Sequence, residues 1–286
     1  MENIAKITPA TFSADIKEEK LNVVTPKLNE NSNKNAFESY FKTGENLKTA
    51  VSVFGQSEEE IEREFKNFKA QKLFGKLDYL LLSATCIENF IKECETALKY
   101  NFNAVTVLPN YVKRAKLVTG VKVNALISYP YGEDLQSVKL NAVKRAFLSG
   151  ADGVTVAVSV LTIKNGGYSL IEKEFSKYVK KAGNRSVNAL IDVNKLSPTE
   201  AKKTVETLLK ISKLNSIIPY NVTNVFVEAN TVKEVVSLAG GKCIVGVGGK
   251  IQTAEETVSA LALGVGKILS EKCPDLAKDA LKKLGA

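Results

Sequence analysis

The run GVGGKIQTAEE, residues 246–256, sets three glycines and a lysine just before a stretch that reads as a helix start. Glycines let a backbone approach an oxyanion closely, and the amides of such a turn can cradle phosphate. Gly248, Gly249 and Lys250 are therefore candidate phosphate-binding residues. A tight turn requiring positive φ would use the same glycines with no ligand at all. Thr253 fits an N-cap, with Glu255 and Glu256 in the first helical turn. In NVFVEANT, residues 224–231, three apolar side chains lead to Glu228, a carboxylate at the inner end of an expected buried strand.

Histidine is absent. This excludes nucleophiles activated by a Ser/His or Cys/His pair, and zinc sites of the HExxH type. Covalent chemistry then falls mainly to lysine, which forms a Schiff base with a carbonyl when burial or a cationic neighbour lowers its pKa. Cys86, Cys94, Cys243 and Cys273 have neither metal-ligand nor redox spacing. They are expected to be reduced structural thiols, with no metal and no cofactor. No run of 18 apolar residues and no leader-like N-terminus occurs, which predicts a soluble cytoplasmic protein without membrane contact.

The net charge of +9 is unevenly spread: residues 1 to 70 hold 10 Lys+Arg and 12 Asp+Glu, and the rest hold 30 and 19. A basic excess of this kind attracts phosphorylated metabolites or acidic protein surfaces. Only Arg63, Arg114, Arg145 and Arg185 could read bases bidentately. Nucleic acid is therefore not the expected partner.

These residues need a scaffold, and the pattern of apolar runs supplies one. Up to about residue 56 the chain is polar and broken by Pro9, Pro26 and NENSNKN, which reads as an extension. A helix near 57–70 follows, capped by Ser57, so that residues 1–70 form an N-terminal extension and 71–286 the main domain. From residue 76 short apolar strands alternate with amphipathic helices: LDYLLL (77–82), AVTVL (104–108), VKVNALI (121–127), GVTVAVSV (153–160), VNALID (187–192), NVFVE (224–228), CIVGV (243–247) and ALGVGKIL (262–269). Eight β–α units predict an α/β fold, a TIM (β/α)8 barrel with parallel strands and right-handed crossovers. A doubly wound sheet is disfavoured because no GxGxxG opens a helix after the first strand. In such a barrel the chemistry belongs at the carboxyl ends of the strands, which directs attention to Asp78, Thr155, Ser159, Asp192, Glu228, Gly246 and the glycine loop.

Several stretches resemble the deoxyribose-phosphate aldolase family, Schiff-base lyases on a TIM barrel: NFNAVTVLPNYVKRAK (101–116), VKVNALISYPYGEDLQSVKLNAVKRAFLSGADGVTVAV (121–158), NGGYSLIEKEF (165–175) and the glycine-rich run. The likeness spans roughly residues 76–270. It implies joining of acetaldehyde to glyceraldehyde 3-phosphate through a lysine on the sixth strand, a second lysine on the seventh that lowers its pKa, and an aspartate on the fourth. Laid over this chain, those positions fall on Glu228, Gly246 and Thr155. Asp78 and Asp192 match retained acids, and Glu271 and Lys272 stand where the family has a serine pair.

A carboxylate cannot form an imine, so the resemblance predicts a pseudoenzyme that binds a protein partner or a phosphorylated sugar. The alternative is an active aldolase using a relocated lysine, for which Lys164, Lys195 and Lys250 are candidates by position. A third reading is a non-imine reaction with Glu228 and Asp192 as acid and base. An acidic or cytoskeletal protein is the expected partner class, and a homodimer is a further expectation.

Overall fold

The computed structural model describes Ser57 and residues 70–222, 227–249 and 251–284. The predicted extension and its helix near 57–70, apart from Ser57 and Ala70, and Lys250 lie outside the described residues; helix α1 (Ala70–Phe74) precedes the first strand.

Eight parallel strands close into a barrel in sequence order. They are β1 (Leu77–Leu81), β2 (Ala104–Val107), β3 (Lys122–Ile127), β4 (Gly153–Ala157), β5 (Ser186–Asp192), β6 (Ser216–Tyr220), β7 (Ile244–Gly248) and β8 (Lys267–Ser270). The principal outer helices are α2 (Ile87–Lys99), α3 (Val112–Val118), α4 (Gln136–Leu148), α5 (Val160–Lys164), α6 (Tyr168–Ala182), α7 (Pro198–Leu208), α8 (Ala229–Ala239), α9 (Ala254–Ala262) and α10 (Cys273–Leu284). β1, β2 and β4 are buried at every residue. A strand covered by helices outside and by the barrel lumen inside must be apolar on both faces, which is why these runs read as continuous rather than alternating.

Seven of the eight strands fall within a few residues of their expected positions. The sixth does not. It is Ser216–Tyr220, ahead of the predicted NVFVE; residues 224–226 of that run lie outside the described set, and Val227 and Glu228 lead into α8. Pro219 explains the misreading, because proline cannot donate to a ladder and argues against a central strand. The barrel accommodates it by shortening one ladder: β6 pairs with β7 only through Ser216 and Ile217, while its pairing with β5 continues to Tyr220.

Two apolar cores follow from the strand alternation. The larger lies between strands and helices and includes Phe90, Val105, Phe175, Tyr178 and Leu276. The smaller fills the lumen with Leu80, Leu126, Ala157, Leu190, Ile218, Tyr220 and Leu269. Directly beneath that tier, two residues earlier on their strands, stand Asp78, Asn188, Ser216 and Lys267, all buried. The lumen is thus polar at its floor and hydrocarbon above it.

Helix starts obey their sequence signals. Thr253 accepts a hydrogen bond from the Glu256 amide, and the Glu256 side chain returns the contact, forming the capping box that the sequence predicts for α9. Ser197 and Glu200 do the same for α7.

Candidate functional site

Lys267 is the buried lysine of the lumen among the described residues. Its Nζ donates to Asn188 Oδ1 at 3.0 Å and lies 3.5 Å from Asp78 Oδ2. Asn188 Oδ1 also accepts from Ser216 Oγ at 2.7 Å and Asn215 Nδ2 at 2.9 Å, and Asn103 Nδ2 donates to Asp78 Oδ1 at 2.5 Å. The stem of Lys267 runs over Gly246, where an added Cβ would stand 3.1 Å from its Cγ. Sequence reasoning missed this residue. The available signal was a single cation in an otherwise apolar strand, which must find a carboxylate once buried. Asp78 is that carboxylate, so the structure places this acid at the floor, near the amino end of β1 and away from the carboxyl ends of the strands.

The mouth holds a different set. Tyr220, at the end of β6, and Tyr129, just after β3, place their hydroxyls 3.3 Å apart with rings in edge-to-face contact. Leu82 and Val222 pack around them. Burial raises the pKa of both phenols, and the charges of Glu271 and Asp192 add to the rise. Asp192, at the end of β5, is only 4% exposed, and neither carboxylate oxygen makes a hydrogen bond of regular geometry. Desolvation raises its pKa; the amides of Asn194 and Val222 and the charge of Lys195 hold the rise in check. Glu271, at the rim after β8, is likewise raised by partial burial against the opposing pull of Lys272.

The turn that carries Tyr129 is fixed from outside. Ser159 Oγ donates to Glu133 Oε2 at 2.8 Å, and the Leu161 amide donates to Glu133 Oε1 at 2.9 Å. Lys139, buried between α4 and α6, donates to Gly132 O at 2.9 Å and pairs with Glu174 at 2.6 Å. The Tyr129–Pro130 peptide is cis.

The glycine loop follows β7 as expected. Gly249 has φ of +124°, a conformation that favours glycine. Gly248 has a second reason to be glycine: a Cβ there would collide with the ring of Tyr220. Ser270 Oγ bonds Ile251 O at 3.1 Å and accepts from the Lys272 amide at 3.0 Å, tying the loops after β7 and β8 together.

The remaining predicted residues are scattered. Thr155 lies inside the barrel on β4, 3.4 Å from Asn188 Nδ2. Glu228 is exposed at the N-cap of α8, which corrects its expected place inside a buried strand. It does not meet Asp192 in any hydrogen-bonded contact recorded among the described residues. Lys164 pairs with Glu200 at 2.7 Å on the surface, and Lys195 is exposed near Asp192. Among the described residues no cluster of acidic and cysteine side chains has metal-binding geometry, and no helix is long and apolar enough to cross a membrane.

No protein-family model matches the chain. It is 23% identical over 211 residues to a deoxyribose-phosphate aldolase of Metamycoplasma arthritidis, covering 71% of this chain and 95% of that protein. Aldolases of the same name from Exiguobacterium (31% over 139 residues) and Coprothermobacter proteolyticus (33% over 130) match 47% and 44% of this chain, and the chain spans 63% and 59% of their lengths. A solved structure described as an aldolase superposes with a TM-score of 0.69 at 21% identity, covering 74% of this chain and 96% of its own. The deoxyribose phosphate aldolase of Aeropyrum pernix, described as tetrameric, gives 0.68 at 20% identity, covering 78% and 97%. The closed eight-stranded barrel is the fold of these aldolase structures, and the sequence matches make the chain similar to deoxyribose-phosphate aldolases.

Proposed function

We propose that this chain is an aldolase-fold protein that does not run the Schiff-base reaction and acts by binding. One observation carries the reading: β6 is SIIPY and β7 is IVGVG, so neither strand holds a lysine, and β4, GVTVA, holds no aspartate. The corrected sixth strand leads to the same chemistry as the expected one, with apolar Ile218 in the lumen instead of an amine. Without an imine there is no electron sink for the carbon next to the carbonyl.

Lys267 does not replace the missing nucleophile in this reading. Its amine is held by Asn188 and Asp78 beneath the leucine tier, whereas substrate enters at the strand ends. Lys164, tied to Glu200 outside the barrel, is likewise remote from a substrate in the mouth.

Incubation with 2-deoxyribose 5-phosphate, coupled to detection of released acetaldehyde, tests the reading. The expected result is no turnover above background; robust turnover overturns it. Borohydride trapping with peptide mapping then identifies any lysine that has assumed the role, with Lys195 and Lys250 the remaining candidates.

The binding partners that fit are a phosphorylated sugar at the loop of Gly248 and Gly249, an acidic or cytoskeletal protein drawn by the basic surface, and a second copy of the chain. Pull-down at low and high salt checks the electrostatic term, which should weaken as salt rises. A cytoplasmic location is consistent with this role.

A further inference from the structure

Helix α9 is unlike its neighbours on the outside of the barrel. A helix laid on a sheet buries one stripe and leaves the opposite face in water. The helices α7 and α8 obey this: Lys202, Lys203 and Glu206 are exposed on the first, and Lys233, Glu234 and Ser237 on the second. In α9 every residue from Ala254 to Ala260 is buried. That stretch covers nearly two turns, so the helix has no solvent face along it. Glu255 and Ser259, one turn apart on the same side, are both 0% exposed. Among the described residues the helix packed most closely on α9 is α10, whose Asp279 accepts from the Ala254 amide at 3.0 Å. The barrel wall and one neighbouring helix close only part of its circumference.

The rest of the cover must come from chain outside the described residues. The stretches 223–226, 250 and 285–286 are too short to roof two turns of helix, which leaves the chain before Ala70. That chain arrives close by, because α1, which begins at Ala70, packs on α10. Its last stretch, EEEIEREFKNFK (58–69), has matching chemistry. Ile61, Phe65 and Phe68 recur at i, i+4 and i+7, the spacing of an apolar helical stripe. Arg63, Lys66 and Lys69 supply the cations that a fully buried carboxylate such as Glu255 requires. At helical rise the stretch is about 18 Å long, enough to run the length of α9.

We propose that residues 58–69 dock along α9 and roof it, with Ile61, Phe65 and Phe68 against the helix and a cation of the segment beside Glu255. The helix starts at Thr253, directly after the glycine loop, so the extension braces that loop's helix from behind. The assignment is independent of whether the loop takes a phosphorylated ligand.

Limited trypsin digestion and hydrogen exchange on the full-length chain provide the test. Cleavage after Arg63, Lys66 and Lys69 is expected to be about tenfold slower than after Lys17 and Lys20, in the polar part of the extension. Joint Phe65→Ser and Phe68→Ser substitution should remove that difference and speed exchange of the α9 amides about tenfold, leaving the α4 amides unchanged. Ser259→Glu, which sets a charge in the covered face, should release the segment in the same way. If that variant does not fold, the phenylalanine variant decides, because its substitutions lie upstream of the barrel. Equal cleavage at all five sites in the parent, or α9 protection indifferent to the phenylalanine substitutions, overturns the proposal. Protection of α9 that instead rises with protein concentration would identify a second copy of the chain as the cover, and overturns it too.

Discussion

Lys267 on β8 reaches Asn188 on β5, a strand that is not its neighbour in the sheet, with 3.0 Å between Nζ and Oδ1. The bond spans the lumen and shares its lysine with Asp78. Lys267→Met should therefore leave a buried carboxylate uncompensated and destabilise the fold by about 3–5 kcal/mol. The double variant with Asp78→Asn should recover part of that loss. Urea denaturation of the four proteins in the cycle measures the coupling.

Gly248→Ala is expected to destabilise by about 1–3 kcal/mol, because its Cβ meets the Tyr220 ring. In a Tyr220→Leu background the same change should cost less. An equal cost in both backgrounds would assign the glycine to the loop's own conformation.

The Lys164 hydrogen bond, with further help from Ser197, holds the carboxyl of Glu200 down to about 2, from an ordinary value of 4.5. A depressed acid stabilises the folded state above its unfolded pKa, and that contribution is lost as pH falls from about 4.5 through about 2. Lys164→Ala should flatten the stability profile in this acid window and leave it unchanged near neutrality in shape. Thermal melts across the range provide the check.

Asp192 carries the opposite sign. Its pKa is raised by desolvation, so its ionisation opposes folding above the unfolded pKa, and the penalty disappears as pH falls below the folded value. Asp192→Asn should raise Tm at neutral pH, with the difference shrinking in acid. A variant less stable than the parent at pH near 7 would show that the carboxylate has a partner in solution.

Thr253→Ala removes one half of the α9 capping box and should cost about 1 kcal/mol. Thr253→Ser should restore most of it, since the hydroxyl is retained.

The barrel was legible in the sequence because strands buried on both faces write themselves as apolar runs between helical repeats. β1, β2 and β4 are the clearest cases. β6 was not, since Pro219 interrupts its strand signal and a more apolar run follows it. That displacement put Glu228 inside the barrel when it belongs on a helix cap. Asp192 was visible as the last residue of an apolar strand. The phenol pair was not, because Tyr129 and Tyr220 come together only through barrel closure, 91 residues apart in the chain. Lys267 was hidden for a similar reason: its partner Asp78 lies at the other end of the sequence.

The hydrocarbon storey formed by Leu80, Leu126, Leu190, Ile218 and Leu269 keeps the polar groups of the lower interior out of hydrogen-bonding reach of those at the mouth. Charges that anchor the basement can stay fixed while the upper room is refurnished with new polar groups. A scaffold partitioned in this way can exchange one kind of guest for another without disturbing its own foundations.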